Sequence, residues 1–132
     1  DYICQGIQQL QMKGFEVILA HVERYACMYK SPDYVEHLTH MGVKIQINAD
    51  SITGGSGWRA KRFTRKLLER RLVFCVGTDA HDASKRPPRM RAAAEYVEKK
   101  CGEEYARRIF FSNARAMLKK KKKENESGQS NA

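Results

Sequence analysis

The chain has 132 residues, 42% hydrophobic and 30% charged, with a formal net charge of +10. That length fits one small domain or part of a larger one, and the apolar content is enough for a core. No apolar run approaches the roughly 20 residues of a membrane-spanning helix, no secretory signal opens the chain, and the start, "DYICQGIQQLQMKGF", reads as the interior of a longer sequence.

In chain order, residues 5–14 place Ile7, Leu10 and Gln11 at helical spacing, with Gly14 as a stop. Residues 17–20 form a short apolar strand running into His21. Ser31-Pro32-Asp33 opens a helix, with Ser31 as N-cap and Pro32 at the first helical position. Tyr34, Val35, Leu38 and Met41 are its apolar stripe and Gly42 ends it. Residues 43–47 alternate apolar with Lys and Gln, a strand pattern. "NADSITGGSGW" reads as a Gly- and Ser-rich loop, followed by a helix over 58–71 and a strand over 72–76. After the loop "TDAHDASKRPP" come helices over 88–100 and 103–111, separated by Gly102, and a short turn over 114–118. "KKKKKENESGQSNA" has no apolar content and is expected to be a disordered basic tail, 119–132, behind a domain at 1–118.

Strands alternating with helices imply an α/β fold with about three parallel strands, and the near-continuous apolar strands imply a sheet covered on both faces. Chemistry in such folds collects at the C-terminal ends of strands, where His21, Asn48, Asp79 and His81 fall. In an extended chain Asp79 and His81 face one way, and a carboxylate with imidazoles from two strand ends is a donor set for divalent metal. The plainer alternative is that Asp79 and His81 only cap a loop. Glu23 could ligate or orient a ligand. Arg24 and Arg86 follow the two motifs and suit bidentate recognition of phosphate, although each could be a surface charge. His37 and His40 read as surface residues of the helix over 33–41.

The positive charge does not by itself mark a nucleic-acid binder. Five lysines at 119–123 supply half of it, and "RAKRFTRKLLERR" interleaves cations with Phe63, Leu67 and Leu68 as a solvated helix face would. The four cysteines include no C-x-x-C pair, which suits a reducing, cytoplasmic setting. "CGEEYAR" matches the C-x5-R loop of cysteine phosphatases, but Glu103 and Glu104 would repel both thiolate and phosphate, so the match is read as coincidence.

"ILAHVERY", "GVKIQINADSITG" and "VGTDAHDASKRPP" together resemble the bacterial capsule-type protein tyrosine phosphatases of the PHP (polymerase and histidinol phosphatase) superfamily, over about residues 1–118. The family's His-Pro-Glu-Arg-Tyr motif has Val22 in place of proline here. The resemblance implies a distorted (β/α)7 barrel. It also implies metal-dependent hydrolysis of phosphotyrosine on a bacterial tyrosine kinase that regulates capsule or exopolysaccharide synthesis, with up to three metals, often manganese. By position His21, Asp79 and His81 match metal ligands, and Arg24 and Arg86 match phosphate-contacting residues. The family's early H-x-H motif and glutamate ligands precede this region, and no H-x-H occurs here. The chain therefore looks like the C-terminal half of the barrel, a fragment lacking the N-terminal ligands. A small-molecule phosphatase of the same superfamily and a non-catalytic basic remnant are the alternatives. No nucleic-acid partner is expected, and homo-oligomerisation is left open.

Overall fold

The computed structural model describes residues 2–29, 31–78 and 86–130. Its elements are α1 (Tyr2–Met12), β1 (Ile18–Leu19), a 3₁₀ turn (Val22–Arg24), α2 (Ala26–Tyr29), α3 (Pro32–His40), β2 (Lys44–Asn48), α4 (Ala49–Thr53), α5 (Trp58–Glu69), β3 (Cys75–Gly77), α6 (Arg86–Cys101), α7 (Glu103–Arg107), a π-helical segment (Arg108–Ser112) and α8 (Asn113–Ser130).

The strands form a parallel sheet in the order β1-β2-β3. Ile18 pairs with Lys44 and Leu19 with Ile45, while Gln46, Ile47 and Asn48 pair with Cys75, Val76 and Gly77. Side chains alternate across a strand, so Ile45, Ile47 and Val76 share one face and Lys44, Gln46 and Asn48 the other. The first face is core: Ile45 and Ile47 are fully buried. The second carries the polar side chains of β2, as the alternation over 43–47 implied, and none of them is fully exposed. The polar positions of β2 sit beside Cys75 and Gly77 of β3, and the Lys44 ammonium lies 4.9 Å from the Phe74 ring centre.

Helix α5 shows most directly how sequence sets packing. Ala60, Phe63, Thr64, Leu67 and Leu68 recur at helical spacing and are all buried, whereas Arg59, Arg62 and Lys66 are exposed. Full burial of each of the two leucines contributes about 1.5–3 kcal/mol. In α3 the Ser31 hydroxyl accepts from the Tyr34 N–H at 3.1 Å, Pro32 fills the first position, and Gly42 turns the chain at φ +90°. The Gln11 amide donates to the Met41 carbonyl at 2.7 Å, tying α1 to the end of α3.

Two expectations need correction. The stretch read as a loop from Asn48 opens with a helical turn, α4, and its middle, Ile52, is fully buried. Only Gly54 to Gly57 make the loop that the glycines announce. The basic run at 119–123, expected to be disordered, continues α8 as far as Ser130. Lysine and glutamate are good helix formers, and Lys120 pairs with Glu16 at 2.8 Å. With Lys44 also near, those ammonium groups hold the exposed Glu16 carboxyl below its ordinary value, Lys120 foremost.

The chain just before β3 is held by side chains from the C-terminal helices. The Tyr105 hydroxyl accepts from the Val73 N–H at 3.3 Å and donates to the Val73 carbonyl at 3.2 Å, and the Asn113 amide donates to the Phe74 carbonyl at 2.8 Å. Burial pushes the Tyr105 hydroxyl up to about 12, against the opposing pull of its bond to Val73. A raised folded-state value means that this contribution is whole below pH ~10 and is lost as pH climbs through ~12, about 2–3 kcal/mol in all. In urea unfolding between pH 9 and 12, Tyr105→Phe should lose that part of the alkaline decline. An identical pH slope in both proteins would show that the hydroxyl is not buried as described.

Candidate functional site

The C-terminal ends of the three strands lie side by side, with Asn48 paired to Gly77. His21 follows β1 closely and adopts the left-handed conformation, φ 57° and ψ 45°. For a non-glycine residue this costs on the order of 1–2 kcal/mol. It turns the chain from strand into the 3₁₀ turn, where the Arg24 N–H donates to the His21 carbonyl at 2.9 Å. Strain of this kind concentrates at functional positions.

The imidazole is held by β2. His21 Nδ1 lies 2.7 Å from Asn48 Oδ1. An amide oxygen only accepts, so Nδ1 carries the proton and the ring's lone pair is on Nε2. Asn48 is itself fixed from the 3₁₀ turn. The Glu23 Oε1 atom accepts from the Asn48 N–H at 2.7 Å and from the Ser51 hydroxyl at 2.7 Å. Glu23 is 1% exposed, and its Oε2 is buried with no hydrogen-bond partner among the described residues. This carboxylate does the capping at the start of α4 that the Asn48 side chain, engaged with His21, does not.

Of the residues expected to act, His21 is at the strand ends and half-buried, and Arg24 is exposed on the 3₁₀ turn. Asp79 and His81 lie outside the described residues. Arg86 opens α6, with its side chain outside what is described. Among the described residues no three His, Cys, Asp or Glu converge as a metal cluster. The fit to a divalent ion therefore rests on the donor set: an imidazole whose Nδ1–H is anchored to an amide oxygen and, two residues on in sequence, a carboxylate with one buried oxygen that has no hydrogen-bond partner among the described residues. Anchoring of the second ring nitrogen is the usual support of a metal-ligating histidine. The wider support network, Asn48 and Ser51 on Glu23, escaped the sequence reading. Its only signal there was the His-x-Glu spacing.

The rejected motif stays rejected. Cys101 ends α6, its thiol donates to the Leu68 carbonyl at 3.8 Å, and the intervening residues form α7 rather than an open loop. His37 and His40 are exposed on α3, and all four cysteines are free thiols.

Residues 1–119 match the family model described as capsular polysaccharide synthesis, CpsB/CapC. The tyrosine-protein phosphatase CpsB of Streptococcus pneumoniae is 32% identical over 118 residues, covering 86% of this chain and 49% of its own length. The tyrosine-protein phosphatase YwqE of Bacillus subtilis is 33% identical over 103 residues, covering 78% and 41%. A solved structure from the pair YwqE and CpsB, described as unique metal-dependent tyrosine phosphatases, superposes with a TM-score of 0.71 at 32% identity. The superposition covers 80% of this chain and 42% of that one. The chain spans about half the length of the curated relatives it matches.

The backbone strain at His21 is testable. His21→Gly should be less destabilised than His21→Ala by about 1 kcal/mol, because glycine accepts a positive φ that alanine resists. Chemical denaturation of both variants reads the difference. Equal stabilities would mean that the left-handed turn is not required.

Proposed function

The chain belongs to the CpsB/CapC family of capsular polysaccharide synthesis, and on that premise we propose that it forms part of a metal-dependent protein tyrosine phosphatase. Its substrate would be a phosphotyrosine-bearing tyrosine kinase that regulates capsule or exopolysaccharide synthesis. The observation that carries this reading is the strand-end imidazole of His21, anchored through Asn48 to the buried Glu23. In the same reading the region 1–118 is the C-terminal half of a distorted (β/α)7 barrel, followed by a basic tail. A sheet with one apolar and one polar face supports it, since the polar face suits a barrel interior that meets a site. The preferred metal is manganese, the setting cytoplasmic, and the remaining ligands belong to a part of the protein preceding this segment.

His21 Nε2, Asp79 and His81 are the metal donors in this proposal. Divalent ions held by these residues would supply Lewis acidity and an activated water for phosphomonoester hydrolysis. The protein's own share is positional and electrostatic. Asn48 keeps the proton on His21 Nδ1 and so keeps Nε2 a donor atom. Glu23 fixes Asn48 by its backbone. The Arg24 and Arg86 guanidinium groups take the phosphoryl oxygens and oppose the negative charge that the group carries through the reaction. No thiol nucleophile takes part.

In the full-length protein, Arg24→Ala and Arg86→Ala should each lower kcat/KM on a phosphotyrosine peptide by about 100-fold while bound metal is retained. Asp79→Ala and His81→Ala should lower metal content and turnover together. Metal analysis in parallel with steady-state kinetics separates the two classes. Full activity in both arginine variants would dismiss the phosphate assignment, and normal metal content in the Asp79 and His81 variants would dismiss the ligand assignment.

A further inference from the structure

Helix α5 carries five cations, at 59, 61, 62, 65 and 66, against one acid, Glu69. Trp58, Arg62 and Lys66 recur every fourth residue and form a ridge on its outer side. A groove of about 780 Å³ runs along one flank of that ridge, lined by Pro32, Trp58, Arg59, Arg62, Phe63 and Lys66 among others. Trp58 is 66% exposed, with the Arg59 guanidinium 5.7 Å from its ring centre.

Apart from the Arg59–Trp58 contact, the cations on this flank carry no internal ion pair or ring contact among the described residues. Arg65, on the other side of the ridge, donates to the Ile52 carbonyl at 3.2 Å and stacks at 4.0 Å over Tyr96, so it has structural work. Among the described residues no ion pair engages Arg59, Arg62 or Lys66, whereas Arg70 one turn on is paired with Asp33 and Glu36. Uncompensated charge of one sign along a groove attracts a partner of the opposite sign and steers its approach. The exposed indole adds a flat apolar surface of the kind that anchors peptides.

The groove also has a definite place relative to the site. Ala26 of α2, two residues past Arg24, forms part of its wall, and α5 packs against both α2 and the 3₁₀ turn that holds Glu23 and Arg24. A chain lying in the groove would run alongside that turn. We infer that this groove binds an acidic peptide segment flanking the substrate's phosphotyrosine, with Arg59, Arg62 and Lys66 reading its carboxylates and Trp58 packing on its backbone and apolar side chains. The inference rests on the phosphatase reading above and adds a specificity determinant outside the residues proposed for chemistry.

The test uses the full-length, metal-loaded protein and three substrates: a phosphotyrosine peptide with Asp and Glu flanks, the same peptide with Ser flanks, and p-nitrophenyl phosphate. Wild type should prefer the acidic peptide by about tenfold in kcat/KM, as three exposed charge pairs allow. The triple change Arg59→Glu, Arg62→Glu, Lys66→Glu should erase or invert that preference and leave p-nitrophenyl phosphate turnover within about twofold. That turnover also reports that the variant is folded; Arg62→Gln with Lys66→Gln serves as a milder second variant, expected to reduce the preference. Added salt should shrink the preference in wild type. Equal kcat/KM for the two peptides in wild type, or a preference that survives the charge reversal, would overturn the inference. So would tighter binding of a single-stranded oligonucleotide than of the acidic peptide, measured by anisotropy of the labelled ligands. Loss of all turnover in wild type, p-nitrophenyl phosphate included, would instead remove the phosphatase reading. The groove is then decided by anisotropy alone: weaker binding of the labelled acidic peptide in the triple variant supports it, and equal binding overturns it.

Discussion

The Glu23 carboxylate is the joint on which the strand ends depend. It is buried, where an oxygen without a donor is costly, and all of its hydrogen bonds among the described residues fall on Oε1. Oε1 meets two, the backbone of Asn48 and the hydroxyl of Ser51, so one atom fastens the turn after β1 to the end of β2 and the start of α4. The imidazole of His21 inherits its position from that fastening, because its own partner is the side chain of the same Asn48. The two bonds to Glu23 are buried, out of competition with water, whereas the His21–Asn48 bond is only partly so.

The rest of the molecule can be read as support for this junction. The sheet is short, with β1 contributing only two residues, so strand pairing alone gives little rigidity. The stiffness comes from the helices. The apolar stripe of α5 lies in the same core as Ile45 and Ile47, while α3 is braced at its end by Gln11 of α1. The division of labour on α5 is strict: one side is core, and the opposite side is left for solvent or a partner.

Much of this was legible in the residues. Three apolar runs separated by amphipathic segments gave three parallel strands, and His21 and Asn48 fell where those strands end. The α5 stripe and the Ser31 cap followed from spacing and side-chain chemistry that act locally. What escaped depends on long-range placement. The helical turn of α4 hides in a Gly- and Ser-rich stretch because its stabilising partner, Glu23, is 28 residues away from Ser51 in sequence. The polar face of β2, by contrast, was legible in the alternation of Lys44 and Gln46 with Val43, Ile45 and Ile47. The C-terminal helix was missed because a run of lysines looks like a solvated tail, although such residues have good helix propensity once the preceding turns exist. Asp79 and His81 were singled out by motif and lie outside the described residues.

The hydrogen bonds around Val73 and Phe74 bear on how the protein is made. The backbone leading into β3 gets one partner from Ile45 of β2 and the others from Tyr105 and Asn113, and Asn113 lies 39 residues downstream of Phe74. At a synthesis rate of ~5–20 residues per second, that separation is roughly two to eight seconds of translation. For that interval the Phe74 N–H can already reach the Ile45 carbonyl of β2, while the Val73 N–H and the Val73 and Phe74 carbonyls still lack the partners they have in the finished fold. The strand that leads to Asp79 is therefore the last of the three to be completed on the ribosome. A nascent chain stalled before residue 113 would hold all three strands, but the Phe74 carbonyl would still lack the Asn113 amide that anchors the entry to β3.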